Sequence, residues 1–149
     1  MAQSWGELKT FFEGVESREV KRQRSREKRI VKTYRDLNVY QLSYELAMEI
    51  FELTGKFPKE EVYSLTNQIR RSSRSVPANI GEGWAKRKYE NVFLRHLNDA
   101  TGSCEETKIW LDFSKDCKYI DVKQHNSFIS KYNQAGAMLN SLMKNWQTF

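Results

Sequence analysis

The sequence predicts an all-α protein: an antiparallel up-down-up-down four-helix bundle over residues 36–149, preceded by an extra helical, strongly basic extension over residues 1–35. Three observations predict it. Apolar residues recur every three or four positions along four long segments, the period of one helix face. Only two prolines and seven glycines punctuate 149 residues, so breaks are few and helices long. Residues 18–35 hold nine Lys and Arg against Glu19 and Glu27, a net +7 in a chain whose total is +6, so the remainder nets −1. A chain of this length can bury one sizeable core.

Residues 1–16 place Trp5, Leu8, Phe11, Phe12 and Val15 at helical spacing, which predicts a short amphipathic helix. Such a helix can pack on the bundle or a neighbouring subunit, dock another protein, or stay unfolded. Residues 17–35 are nearly devoid of large apolar side chains until Ile30, Val31 and Tyr34. They cannot order themselves by burial and read as a solvated helix or a mobile arm.

The first bundle helix is expected to start at Asp36 or Asn38, both good N-caps. Its stripe is Val39, Leu42, Leu46, Ile50, Leu53 and Phe57, and Gly55 and Pro58 end it. The second is expected over residues 60–81, with Leu65, Ile69, Ser72, Val76 and Ile80 on its seam and Ser72, Ser73 and Ser75 small enough for close helix approach. Pro77 removes one backbone hydrogen bond, which predicts a kink near Ser73. Gly81 and Gly83 are expected to cap and turn the chain. The third helix, residues 89–117, carries Phe93, Leu97, Ala100, Cys104, Thr107, Leu111 and Ser114, alternating by four and three as in left-handed bundle packing. Gly102 costs helix stability, which predicts a close neighbour there. The fourth helix opens near Asp121 and continues the rhythm through His125, Phe128, Tyr132, Ala135, Leu139, Leu142 and Trp146. The connections are short, as antiparallel neighbours require.

Little in the chain suggests catalysis. His96 and His125 fall on separate helices, with Phe93 and Val122 where a di-iron bundle carries glutamate, so no metal is expected. Cys104 lies on the apolar seam and reads as a small buried hydrophobe. On one helix Cys104 and Cys117 stand about 20 Å apart, too far for a disulfide. Gly81-Glu82-Gly83 lacks the spacing of a phosphate loop and a preceding strand. Glu60-Glu61 and Glu105-Glu106 are adjacent pairs; helical neighbours diverge by about 100°, so neither frames a substrate. No cofactor is expected, and the chain reads as not an enzyme. No signal peptide and no membrane-length apolar run stand out, so the expected compartment is the cytoplasm.

What remains is basic charge. The extension supplies Arg18, Lys21, Arg22, Arg24, Arg26, Lys28, Arg29 and Lys32. The second helix supplies Arg70, Arg71 and Arg74, and the following turn Lys86, Arg87 and Lys88. Such clusters are an electrostatic footprint for phosphate backbones. The arginines can equally form a solvated face, pairing with Glu82, Glu90 or a neighbouring subunit. Nine basic residues in eighteen repel one another unless an anion is near.

Asp36-Leu37, Tyr40-Gln41, Phe57 to Glu61 and the run Leu65 to Gly83, which contains Gln68, Arg70, Arg71, Ser75, Pro77, Asn79, Glu82 and Gly83, carry a family resemblance. Residues 36–146 resemble the "four helix bundle protein" family, whose members include the 23S rRNA intervening-sequence proteins. The resemblance implies an antiparallel four-helix bundle assembled as a ring-like homopentamer. It also implies a fold similar to the accessory variability proteins of diversity-generating retroelements, basic pentamers that bind a reverse transcriptase and nucleic acid. Residues 1–35 lie outside it. The expectation is a non-catalytic, oligomeric nucleic-acid-binding accessory protein, directed to RNA, with the extension and the Arg70, Arg71 and Arg74 face on phosphates. The alternative is a protein-interaction scaffold that docks a partner such as a reverse transcriptase through Trp5, Leu8, Phe11 and Phe12.

Overall fold

The computed structural model describes residues 30–146. A short 3-10 turn, Tyr34–Asp36, leads into α1 (Asn38–Thr54). A second, Lys59–Glu61, precedes α2 (Leu65–Ala85); α3 (Glu90–Asp116) and α4 (Val122–Asn145) follow. There is no strand among the described residues. Each helix packs on the next and α4 closes onto α1, which is the up-down-up-down bundle the sequence predicts.

The seams are those the periodicity marks. Ile50, Ile69, Val76, Ile80, Phe93, Leu97, Leu111 and Leu139 are fully buried, and each contributes about 2 kcal/mol by leaving water. All seven seam positions of α3 are buried, from Phe93 to Ser114. Leu42 and Leu53 on α1 and Leu142 on α4 are only partly covered.

Several local expectations change. Asp36 does not cap α1. Its carboxylate accepts from Thr33 N (2.9 Å) inside the 3-10 turn, and Leu37 takes the N-cap position with its side chain buried. α2 begins at Leu65 rather than near residue 60, because Glu61 folds back to act as its cap. One carboxylate oxygen accepts from Ser64 Oγ (2.6 Å) and from Leu65 N (3.1 Å). The other accepts from Tyr119 Oη (3.0 Å), which ties the α1–α2 connection to the α3–α4 connection. The Ser64 bond, then the Leu65 N–H and Tyr119, hold the Glu61 carboxyl below its usual range. Phe57 supports the same junction, its ring 5.3 Å from that of Tyr119.

α2 runs unbroken through Pro77 and past both glycines expected to end it. Gly83 is instead a point of helix contact. A Cβ there would lie 2.8 Å from His96 Cβ and 3.3 Å from Phe93 Cδ2. The helix stops at Lys86, whose N–H turns back to the Glu82 and Gly83 carbonyls. Gly102 is the reverse case: no neighbour lies within 4 Å of the place its Cβ would take. Asp121 caps α4 as expected. It accepts from Gln124 N (2.7 Å) while the Gln124 side chain accepts from Asp121 N (3.0 Å), a reciprocal capping box.

Candidate nucleic-acid interface

The residues that carry the family resemblance divide into two groups: those that hold the bundle together and those left facing outward. Ser75 and Asn79 belong to a hydrogen-bond ladder between α2 and α3. Thr107 Oγ1 bonds the Ser72 hydroxyl (2.9 Å), and Ser103 Oγ donates to Ser75 Oγ (2.9 Å). One turn on, Asn79 Nδ2 donates to the Ser75 carbonyl (3.0 Å) and Asn79 Oδ1 lies 3.2 Å from His96 Nδ1. An amide oxygen only accepts, so His96 Nδ1 carries the proton there. The other ring nitrogen, Nε2, lies 3.5 Å from Lys86 Nζ. Glu82 stands 3.9 Å from His96 Nδ1. Gly83 lets this part of the ladder close.

Arg70 is also drawn into the fold. Its Nε donates to Thr54 Oγ1 (2.8 Å), Nη2 reaches the Phe51 carbonyl (3.4 Å), and the guanidinium lies 4.7 Å from the Phe51 ring centroid. It therefore braces the carboxyl end of α1, adding to the Phe51 carbonyl a donor beyond the Gly55 N–H that it already accepts from. Arg71 and Arg74 are exposed. The Arg74 guanidinium lies 5.8 Å from the same ring, so two arginines gather at Phe51.

Lys86, Arg87 and Lys88 are all exposed at the α2–α3 turn. Arg87 lies 4.3 Å over the Trp84 ring and donates to the Trp84 carbonyl (2.9 Å). Lys88 Nζ is 5.8 Å from the Tyr89 ring. Arg74 and Lys86 are twelve residues apart on α2, about 18 Å along the axis, so these are two basic patches at different heights. Lys32 is exposed. Arg18, Lys21, Arg22, Arg24, Arg26, Lys28 and Arg29, and Trp5, Leu8, Phe11 and Phe12, lie outside the described residues.

One feature was not read from the sequence. A groove of about 650 Å³ runs between α1 and α2 beside Arg74. Tyr40, Tyr44, Ala47 and Met48 line its α1 wall, and Arg74, Pro77, Ala78, Gly81, Glu82 and Ala85 line it from α2. Tyr34 also lines it, with its ring 3.7 Å from the place a Cβ on Gly81 would take. The tyrosines are a connected series: Tyr34 and Tyr40 meet edge to face at 4.9 Å, and Tyr40 and Tyr44 are 6.0 Å apart. Tyr44 is 52% exposed, Met48 47% and Phe51 43%, so the wall faces solvent. The signal was present as a second stripe on α1, Tyr40, Tyr44, Met48 and Phe51, beside the core stripe.

Among the described residues no group of three or more His, Cys, Asp or Glu could hold a metal, and none of their helices is long and apolar enough to cross a membrane. Burial pushes the Cys104 thiol up to about 12, far from a nucleophile at neutral pH. His125 Nε2 lies 2.7 Å from Asp112 Oδ1 at the start of α4, with no serine or cysteine in the pair.

No curated protein matches the chain. Among solved structures it is similar to a protein of unknown function from the S23 ribosomal protein family of Bacteroides thetaiotaomicron. The two share 29% identity with a TM-score of 0.65, over 71% of this chain and 95% of that one. Residues 35–141 match the family described as 23S rRNA-intervening sequence protein. With that match spanning most of its length and reaching into all four bundle helices, the chain belongs to the 23S rRNA-intervening sequence protein family.

Proposed function

We propose that the protein is a non-catalytic RNA-binding accessory protein that acts in the cytoplasm as a homo-oligomer, a pentamer if it follows the assembly its resemblance implies. The observation that carries the reading is the separation of charge. Residues 18–35 net +7 while the rest of the chain nets −1. On the bundle, Arg71, Arg74, Lys86, Arg87 and Lys88 are exposed on or just beyond α2. The outer face of α3 displays Asp99, Glu105, Glu106, Asp112 and Asp116, with exposed Arg95 among them. A phosphate backbone is the partner that rewards so dense a run of positive charge in the sequence, and the family name supports RNA as the polymer. Ile109 and Phe113 are half exposed on α3 and offer apolar surface for contact between copies.

The test is binding of a structured RNA hairpin across a salt series. The affinity of the full chain should fall steeply with salt. Replacing Arg22, Arg24, Arg26 and Arg29 together by Ser should reduce the log–log slope by about 3 if all four meet phosphates. A flat dependence, or an unchanged slope in that variant, counts against the reading. Sedimentation of the same samples reports the oligomer.

A further inference from the structure

The geometry points to the α1–α2 groove as a receptor for unpaired RNA bases, the part of an RNA that the basic patches alone would not select. This inference rests on the RNA-binding reading and adds the class of nucleotide. The groove is lined by Tyr40 and Tyr44 on successive turns of α1 and by small residues of α2, among them Ala78 and Ala85. An exposed tyrosine ring beside small side chains offers a face on which a flat heterocycle can stack. Every base has a π face to offer a tyrosine, which is how proteins hold single strands with little sequence preference.

The ends of the groove favour a nucleotide over other flat or apolar occupants. Arg74 lines the groove, and exposed Arg71 stands three residues before it, so cations border one end. Glu82 lines it eight residues further along α2, about 12 Å on. An ionised carboxylate accepts hydrogen bonds and repels phosphate, but it takes N–H groups from a base edge. A nucleotide has both complements, an anionic backbone for Arg71 and Arg74 and a donor-bearing base for Glu82. Of the acids of α1, Glu49 turns to the other flank, where its Oε2 accepts from Lys131 Nζ of α4 (3.3 Å). In a duplex the bases are stacked and paired, so only single-stranded segments, loops and bulges present the ligand this groove fits.

The experiment uses the full chain and a twelve-nucleotide oligoadenylate carrying one 2-aminopurine, single-stranded or annealed to its complement. The single strand should bind more tightly than the duplex, with quenching of 2-aminopurine as it stacks. Tyr44→Leu keeps the apolar wall but removes the exposed ring. It should weaken single-strand binding about tenfold, abolish the quenching and leave duplex binding unchanged. Gly102→Ala, remote from the groove, serves as the control and should bind as the parent does. If both RNA forms bind and Tyr44→Leu matches the parent, the groove assignment is wrong while the RNA-binding reading stands. If neither form binds at low salt, both fail. If Tyr44→Leu changes the sedimenting mass with single-strand affinity intact, the groove is a contact between copies and the inference is overturned.

Discussion

Arg70 and Arg74 stand one turn apart on α2 with the same side chain and divide their roles. Arg70 is spent on α1, through Thr54 Oγ1 and the Phe51 carbonyl, while Arg74 is exposed at the groove. Lysine cannot reproduce the Nε donor that Arg70 gives Thr54. Arg70→Lys should therefore lose about 1 kcal/mol of stability in urea unfolding, and Arg74→Lys should stay within about 0.5 kcal/mol of the parent. Equal losses would mean that the Thr54 contact contributes nothing. The cysteines differ in the same way. Cys117 is exposed and Cys104 buried. A thiol reagent at pH 8 should modify one cysteine in the folded protein and two in guanidinium; two fast equivalents without denaturant would contradict the burial of Cys104. In the sequence the three arginines looked alike, because spacing shows which residues share a face but not which of them meets the end of a neighbouring helix.

At the scale of the element, the heptad-like seam of α3 was fully legible, since one face packed against two neighbours leaves the same trace at every turn. The glycines were not. Gly83 looked like a helix stop and is a contact with His96 and Phe93; Gly102 looked like a contact and meets nothing within 4 Å. A glycine reports only that a side chain is missing, and the reason lies on whatever faces it. The two sites should respond with opposite sign. Gly102→Ala gains helix propensity at an open position and should stabilise by about 0.5–1 kcal/mol. Gly83→Ala gains the same propensity but forces Cβ to within 2.8 Å of His96 Cβ, and should lose about 1–2 kcal/mol net. Urea midpoints of the two variants measure this, and a stabilised Gly83→Ala would show that α2 and α3 can separate without cost. The ladder of Ser72, Ser75, Asn79, Ser103 and Thr107 explains why small polar residues fill a seam that hydropathy alone would leave apolar. Each buried hydroxyl there has a partner across the interface or on its own backbone.

For the whole molecule, bundle and charge segregation were legible because each is summed over many residues. The groove was not, because it depends on which flanks of α1 and α2 face each other. The core also sets how the protein responds to base. Cys104 and Tyr132 are buried near the centre of the bundle, and burial raises both above their ordinary values of 9.0 and 10.0, Cys104 to about 12. The Tyr132 hydroxyl has no hydrogen-bond partner among the described residues, and the Thr107 hydroxyl nearby is committed to Ser72 and to the Ser103 carbonyl. Above pH 9 an unfolded chain releases the Cys104 proton that the folded chain keeps, and above pH 10 the Tyr132 proton as well. The unfolded state then binds fewer protons, so stability falls as pH rises, by about 1 kcal/mol per unit for each group. Urea midpoints from pH 8 to 11 should decline along that course. Cys104→Ala should remove the part that begins near pH 9, and Tyr132→Phe the part that begins near pH 10. At neutral pH Tyr132→Phe should cost nothing measurable, since it deletes a buried hydroxyl without a partner. If the decline keeps its slope in both variants, the alkaline response arises at the surface, and the centre of the bundle is more open to water than its burial indicates.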